Sequence, residues 1–518
     1  MSTSRILWAD DEIDLLKPHI MFLKSKGYDV TTACSGRDAV ELAEHESFDL
    51  IILDENMPGL TGLETLPLLA EIAPTVPVIM ITKSEEENIM DQAVGNNIAD
   101  YLIKPVNPSQ ILLSIKKNLH GNRLVSEQTS TGYRQEFSEI GVAISNADTM
   151  DKWQALYRRL VNWELKLNAA ETNMDELLEM QRIEANSEFY KWVKRNYVDW
   201  LKGEYGDEDR PLLSPDVFKT RVFPLLDNGE KVFFILIDNF RLDQWETIKP
   251  LLAEGFSMSE SLYTSILPTA TQYARNAIFS GLMPAKIEKM FPELWVDEEA
   301  EEGKNLNESP MIATLLERYR RRNDSFSYIK INDSQGIEKL TRTISELDHN
   351  NLNVVVINFI DMLSHARTEL KMIRELASNN AAYRALTRSW FQHAGTIDLF
   401  KAIASRGYTI VLTTDHGTIR VDNPVKVIGD KNTNTNLRYK VGKNLNYNAR
   451  QVYEVKRPAE LQLPAPNLSS TYIFAGGRDF FAYPNNYNHY VQYYTDTFQH
   501  GGISMEEMII PLITIRQK

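Results

Sequence analysis

Tyr408-Thr-Ile-Val-Leu-Thr-Thr-Asp415-His416-Gly417 is the stretch from which the fold is read. Its apolar, β-branched run reads as a buried strand, which stops at a carboxylate, an imidazole and a glycine. Both side chains are good Zn²⁺ ligands. Alone, such a pair is more often a hydrogen-bonded turn than a metal site, but the rest of the C-terminal half repeats the pattern. Lys231-Val-Phe-Phe-Ile-Leu-Ile runs into Asp238-Asn239-Phe240-Arg241. Val354-Val-Val-Ile-Asn-Phe-Ile runs into Asp361, with His365 four residues on, the spacing of one helical turn. Ser265-Ile-Leu-Pro268-Thr269-Ala270-Thr271-Gln272 precedes a helical pattern. Thr271 is therefore expected near a helix N-terminus, where N–H groups and the dipole favour anions. His500-Gly-Gly follows near the end. Three acids at strand ends, three His and one Thr supply donors for two metal ions. The other six of the nine His show no such setting.

At 518 residues the chain is too long for one core. Its patterns divide it into residues 1–121, 122–217 and 218–518. The single cysteine, Cys34, excludes a disulfide within the chain and favours a cytoplasmic protein. Met1-Ser-Thr-Ser-Arg5 does not read as a signal peptide, and no apolar run is long enough to cross a membrane. A net charge of −15 argues against duplex DNA binding over the whole surface, while leaving room for a local basic groove.

In residues 1–121 the patterns alternate. Strands are expected at Arg5–Glu12, which ends in acids, Phe48–Asp54, Val76–Thr82 and from Asp100 to Lys104-Pro105, with helical patterns between them. This predicts a parallel α/β sheet with its functional residues at the carboxyl ends of the strands. Asp10, Asp11 and Asp54 would converge there, joined by Thr82 and Lys104. Three adjacent carboxylates repel unless a divalent cation sits among them, and Mg²⁺ suits carboxylates and water. A carboxylate that attacks a phosphoryl group becomes an acyl phosphate, with Lys104 and the cation neutralising charge and Thr82 hydrogen-bonding the product. This ordered set resembles the receiver domain of two-component response regulators, a flavodoxin-like (βα)5 fold. The resemblance implies phosphorylation of Asp54 by a sensor histidine kinase and Tyr101 as an aromatic switch residue. The Lys104–Pro105 bond is a candidate for cis.

Gly121–Ser130 is polar and weakly patterned, and is expected to be a hinge. Beyond it, Trp153, Leu156, Tyr157, Leu160 and Val161 recur at helical spacing, as do Phe189, Trp192, Val193 and Tyr197. An α-helical bundle follows. An aromatic stripe of this kind is core rather than a ligand site. The bundle is expected to relay the receiver's state to the C-terminal half.

Residues 218–518 resemble the alkaline phosphatase superfamily, an α/β fold. The Pro268-Thr-Ala-Thr271 context with Gly281-Leu-Met-Pro284 is similar to its nucleotide pyrophosphatase/phosphodiesterase branch, and His500-Gly-Gly-Ile-Ser-Met-Glu-Glu-Met-Ile-Ile-Pro511 looks like a PglZ domain. The three parts together resemble the PorX-like response regulators of Bacteroidota, associated with control of type IX secretion. The resemblance implies one zinc on Asp361, His365 and His500, a second on Asp238, Asp415 and His416, and Thr271 as the nucleophile, itself on the second zinc. Thr269 is the rival nucleophile.

No Arg stands two or three residues after Thr271; Arg275, four residues on, would reach a phosphate or merely pack. A monoester, with two charges, rewards such an Arg more than a diester does, so diesters are expected. Asn239 is a further candidate substrate contact. Pro424–Arg457 holds eight basic residues against two acidic ones, among them Lys426, Lys431, Arg438 and Lys440, interleaved with Asn and Tyr. It reads either as a solvated loop or as a rim guiding nucleotides or oligonucleotides. The expectation is a response regulator that dimerises on phosphorylation and carries a dizinc phosphodiesterase. The alternative is a zinc-stabilised module that binds a transcription factor, a sigma factor or a secretion partner. Direct DNA binding is disfavoured by the acidic balance and the lack of a helix-turn-helix pattern.

Overall fold

A computed structural model of the protein describes residues 4–83, 98–170, 174–203, 206–207, 210–296, 305–369, 377, 379–430, 433–465, 467, 469–484 and 487–518. The chain forms two compact units, Met1–Thr131 and Gly132–Lys518.

In the first unit, β1 (Arg5–Ala9), β2 (Asp29–Ala33), β3 (Leu50–Asp54), β4 (Val78–Thr82) and β5 (Asp100–Ile103) form a parallel sheet in the order β2-β1-β3-β4-β5. That order places the topological switch between β1 and β3, whose ends carry Asp10 and Asp54. The helix Gly36–His45 is capped by Ser35, whose hydroxyl accepts from Asp38 N at 3.2 Å, and Gly62–Ile72 opens with a capping box between Thr61 and Glu64. Lys104–Pro105 is cis. The segment expected between β4 and β5 lies outside the described residues.

Gly121–Ser130 is not a break. It lies inside one helix, Pro108–Ser145. Ser, Thr, Gln and Glu are tolerated in a helix, and a lone Gly costs only about 1 kcal/mol relative to Ala, so weak patterning did not mean weak helix.

In the second unit, the helices Met150–Ala169 and Asp175–Lys202 pack through Trp153, Phe189 and Trp192, with ring centroids 5.3–6.1 Å apart. β6 (Lys231–Ile237), β7 (Phe256–Thr264), β8 (Phe326–Ile331), β9 (Leu352–Ile357), β10 (Tyr408–Thr413) and a later strand, β19 (Ile509–Gln517), form a sheet in the order β7-β19-β10-β6-β9-β8. β10, β6, β9 and β8 are parallel, and β19 runs antiparallel to both of its neighbours. The apolar runs of β6 and β10 are buried almost throughout, as parallel strands covered on both faces must be. Between β10 and β19 come β11 (Ile419–Val421), β12 (Asn423–Ile428), β13 (Tyr439–Gly442), β14 (Asn446–Tyr447), β15 (Tyr453–Val455), β16 (Thr471–Phe474), β17 (Asp479–Ala482) and β18 (Thr497–Gln499), all in small two- and three-stranded sheets. The bundle residues Trp153 and Tyr197 belong to the same buried apolar cluster as Phe234 and Ile266 of the sheet region. Among the described residues no helix is long and apolar enough to cross a membrane.

Candidate functional site

The end of the first unit's sheet gathers Asp10, Asp11 and Asp54, with one carboxylate oxygen of each within 4.8 Å of the others. Asp10 and Asp54 are buried and Asp11 is exposed. Lys104 Nζ lies 2.8 Å from Asp10 Oδ2 and 3.0 Å from Asp54 Oδ1. Burial pushes the Asp54 carboxyl above its usual range, and the Lys104 hydrogen bond only partly offsets this. Thr82 is fully buried at the end of β4. Burial also raises the Tyr101 hydroxyl, against a hydrogen bond with Thr82.

In the second unit, residues that follow three strands meet one helix. Asp238 follows β6, Asp415 and His416 follow β10, and His500 follows β18. Asp361 is not at a strand end. β9 stops at Ile357, and Asp361 lies in the first turn of the helix Phe359–Glu369, which also carries His365. Asp238, Asp415 and His416 each bring a ligand atom within 4.8 Å of the others, and so do Asp361, His365 and His500. His365 Nε2 is 3.5 Å from Asp361 Oδ2, and His500 Nε2 is 3.9 Å from Asp361 Oδ1. The His416 and His500 rings stack, with centroids 4.2 Å apart and planes 16° apart, so the two clusters adjoin.

The hydrogen bonds around these rings suit cation binding. His416 Nδ1 lies 3.1 Å from Gly417 O and His500 Nδ1 lies 3.2 Å from Thr269 O. Each Nδ1–H therefore donates to a carbonyl, leaving Nε2 with its lone pair turned to the acids. Among the described residues, Asp238 Oδ1 is buried without a hydrogen-bond partner. Burial first, then Asp415 and Asp361, raise the Asp238 carboxyl well above its usual range although Arg275 opposes this. Burial would raise Asp415 too, but Arg275 and His416 outweigh it and hold Asp415 at about 2. Two three-residue O/N donor sets, one wholly buried, fit a pair of divalent cations such as Zn²⁺.

Thr271 begins the helix Thr271–Ser280, and its Oγ1 lies 3.1 Å from His416 Nε2. Thr269 is placed differently. Its hydroxyl donates to Gly502 O at 2.8 Å and accepts from Gly501 N at 3.0 Å, so backbone groups engage it on both sides. Asn239, fully buried at φ +61°, spans the clusters: its Nδ2 donates to Asp361 Oδ1 at 3.3 Å and its N to Asp415 Oδ1 at 3.4 Å.

Two expected substrate contacts are corrected. Arg275 is 1% exposed, and its guanidinium is taken up by Asp238, Asp415 at 2.9 Å and Glu308 at 3.2 Å. It neutralises the Asp238, Asp415 and Glu308 carboxylates instead of turning outward. Arg438 is fully buried and grips Glu507 with Nε and Nη2 at 3.1 and 2.7 Å. The basic stretch is strand-built and not one solvated loop. Lys426 is exposed on β12, and Lys440 is half-buried on β13 with its Nζ donating to Asn434 O at 2.6 Å. Lys431 lies outside the described residues. Sequence reasoning missed Glu308, Glu506 and Glu507. The pair of acids inside the apolar Ile503–Pro511 run was the available signal, since buried carboxylates need partners.

Three family models match in succession. Residues 6–116 match a response regulator receiver domain, 123–201 a PorX response regulator linker domain, and 217–515 a BREX system PglZ alkaline phosphatase-like domain. The chain belongs to the PglZ alkaline phosphatase-like family. Its PglZ domain is preceded by a receiver and the linker, so the protein is a response regulator with a phosphatase-like output domain. Receivers are typically phosphorylated by sensor histidine kinases, and both domain types generally bind divalent metals. Curated relatives include the Escherichia coli K12 transcriptional regulatory protein ZraR, 29% identical over 136 residues, or 26% of this chain and 31% of ZraR. The Bacillus subtilis alkaline phosphatase synthesis transcriptional regulatory protein PhoP is 33% identical over 124 residues, 24% of this chain and 51% of PhoP. The chain thus spans about a third to a half of these relatives. Among solved structures, Vibrio cholerae chemotaxis protein CheY4 is 29% identical, with 23% of this chain and all of that one covered and a TM-score of 0.22.

Proposed function

We propose that the PglZ domain hydrolyses phosphodiesters through Thr271, under control of a receiver phosphorylated on Asp54. The observation that carries this is Thr271 Oγ1 at 3.1 Å from His416 Nε2, at a helix N-terminus beside two adjoining donor clusters. Asp238, Asp415 and His416 would hold one Zn²⁺ next to Thr271, and Asp361, His365 and His500 a second. Bound there, the two ions supply Lewis-acid stabilisation of the entering and leaving oxygens and lower the pKa of a bound hydroxyl or water.

The residues do the rest. The N-terminus of the helix Thr271–Ser280 orients the phosphoryl oxygens with the N–H groups of Thr271 and Gln272. Thr271 Oγ1 attacks phosphorus in line, the P–O bond to the leaving alcohol breaks, and a phospho-threonine forms. Water attack on that phosphorus regenerates Thr271 and releases the monoester. Burial of Asp238, Asp415 and His416 keeps the nucleophile's side of the site dry, where electrostatic stabilisation is strongest. The leaving side, at Asp361 and the exposed His365, opens to solvent.

Diesters are favoured because Arg275, the cation nearest to Thr271 along its helix, is held by three carboxylates and does not reach a second substrate charge. Nucleotides or oligonucleotides fit this class, with the exposed Lys426 and half-buried Lys440 among the basic residues placed to guide them. Dimerisation on phosphorylation and a role in type IX secretion belong to the same proposal and rest on the resemblance to PorX-like regulators.

The test is hydrolysis of bis-p-nitrophenyl phosphate against p-nitrophenyl phosphate by zinc-loaded protein, beside Thr271→Ala. Faster diester cleavage that falls at least 10³-fold in the variant is expected, on the order of what losing a nucleophile costs. Turnover of neither compound above the variant's level would turn the reading to a metal-stabilised binding module.

A further inference from the structure

The helix Asp175–Lys202 of the bundle reaches both metal-ligand histidines through one intermediary, the Met505–Glu507 turn. Its Asn186 donates from Nδ2 to Glu506 Oε2 at 2.9 Å and accepts at Oδ1 from Met505 N at 2.9 Å. Its Arg182 donates to Glu506 Oε1 at 2.7 Å and to Glu164 Oε2 at 2.7 Å. The turn in turn holds the ligand loops. Glu507 O accepts from Gly417 N at 3.2 Å, and Glu507 Oε1 accepts from Gly502 N at 2.9 Å. Gly417 adjoins His416, and Gly502 is two residues beyond His500. One residue of each cluster is therefore held, through Glu507, by a turn whose own position is set by the bundle.

The contact is tight. A Cβ on Gly417 would lie 2.0 Å from Glu506 O. It is also balanced in charge. Arg182 bridges Glu506 and Glu164, Arg384 bridges Glu164 and Asp243, and Arg241 forks onto Asp243 at 2.7 and 2.8 Å, giving three cations against three carboxylates. Arg241 lies three residues after Asp238, and its Nη1 donates to Thr418 O at 3.4 Å, two residues after His416. The same bundle helix also supplies Tyr197, whose hydroxyl accepts from Leu267 N at 2.7 Å, in the loop leading to Thr271. A structural ion pair would have needed only one such tie. Here three ties from the helix, those of Arg182, Asn186 and Tyr197, converge on the 505–507 turn and on the loop before Thr271.

We infer that Arg182 and Asn186 are positioning residues for the two-metal centre, setting its metal affinity from the bundle through Glu506 and Glu507. Partners behind the first ligands commonly change metal affinity 10–100-fold. The inference rests on the metal reading above, but its first readout does not. In full-length protein, hydrogen exchange in peptides covering Gly417 and Gly502 is compared for wild type, Arg182→Lys and Asn186→Leu. Arg182→Lys keeps the charge and loses the bridge, so the fold is retained even if Asn186→Leu does not fold. Lys194→Met is the control: it breaks another tie of the same helix, Lys194 Nζ to Val452 O at 3.3 Å, which involves neither Arg182 nor the 505–507 turn. The second readout is Zn²⁺ affinity by competition with a chromogenic chelator.

The expected result is faster exchange at both loops and Zn²⁺ binding about tenfold weaker in Arg182→Lys, with Lys194→Met within about twofold of wild type. Unchanged exchange and affinity in Arg182→Lys would overturn the inference, as would equal effects in Lys194→Met, which would mean only loosened docking. Faster exchange with unchanged affinity would also overturn it. Wild type that binds no Zn²⁺ while its loops respond as expected would remove the metal reading, and with it the assigned role, and the exchange data would show which of the two had failed.

Discussion

Gly417 shows how closely single atoms constrain this centre. The residue after His416 must let Glu506 O approach to within 2.0 Å of where a Cβ would stand, and it must present its N–H to Glu507 O. Backbone cannot yield there as a long side chain would. Gly417→Ala is expected to cost about 1–3 kcal/mol, the range for forced overpacking, and to weaken Zn²⁺ binding. Gly255→Ala, with nothing within 4 Å of the added carbon, should stay within about 0.5 kcal/mol. Urea melts of both variants decide this, and equal midpoints would mean the loop relaxes freely. At this scale the sequence was legible where chemistry and local context coincide. Asp238, Asp415 and His416 end apolar runs, and the structure brings them together. It was not legible for long or short side chains whose partners are remote. Nothing local says that Arg275 turns inward to three carboxylates, or that Thr269 is tied to Gly501 and Gly502 while Thr271 stays near His416.

At the scale of elements, buried strands were the clearest signal, since β6, β9 and β10 are continuous apolar runs covered on both faces. β2, Asp29-Val-Thr-Thr-Ala33, is an edge strand with a half-exposed face, and its polar composition hides it among turns. Gly121–Ser130 misled in the opposite direction. Polar residues without period look like a linker, yet each is compatible with helix, and the helix Pro108–Ser145 runs through them. This separates two physical pictures. In a hinge, proline at the exposed Gln128 would be nearly neutral. In a helix interior it removes a backbone hydrogen bond and clashes with the preceding turn, at about 3 kcal/mol or more. Gln128→Pro is therefore expected to lower helical ellipticity and the thermal midpoint of full-length protein. Unchanged values for both would restore the hinge.

At the scale of the molecule, the larger unit joins bundle and PglZ domain through a common apolar cluster and a buried set of three Arg and three carboxylates. Such a set contributes to stability only while its acids are ionised, because protonating one partner leaves a buried cation uncompensated. Burial alone would raise Asp243, but Arg241 and Arg384 outweigh it and hold the carboxyl well below its usual range. Burial likewise opposes, and Arg182 produces, the lowering of Glu506. A carboxyl depressed in the folded state binds fewer protons there than in the unfolded chain. Its contribution is therefore complete above the ordinary carboxylate range, about pH 4–4.5, and is lost as pH falls below it through the folded value. With EDTA present to remove metal effects, the melting temperature of the larger unit should fall steeply below about pH 4.5. Asp243→Asn removes one of these titrations. Its melting temperature should be lower than wild type at neutral pH and should converge on it in acid, giving a shallower decline. Parallel declines would show that the network's ionisation does not hold bundle and PglZ domain together, and would leave the apolar cluster as their main bond.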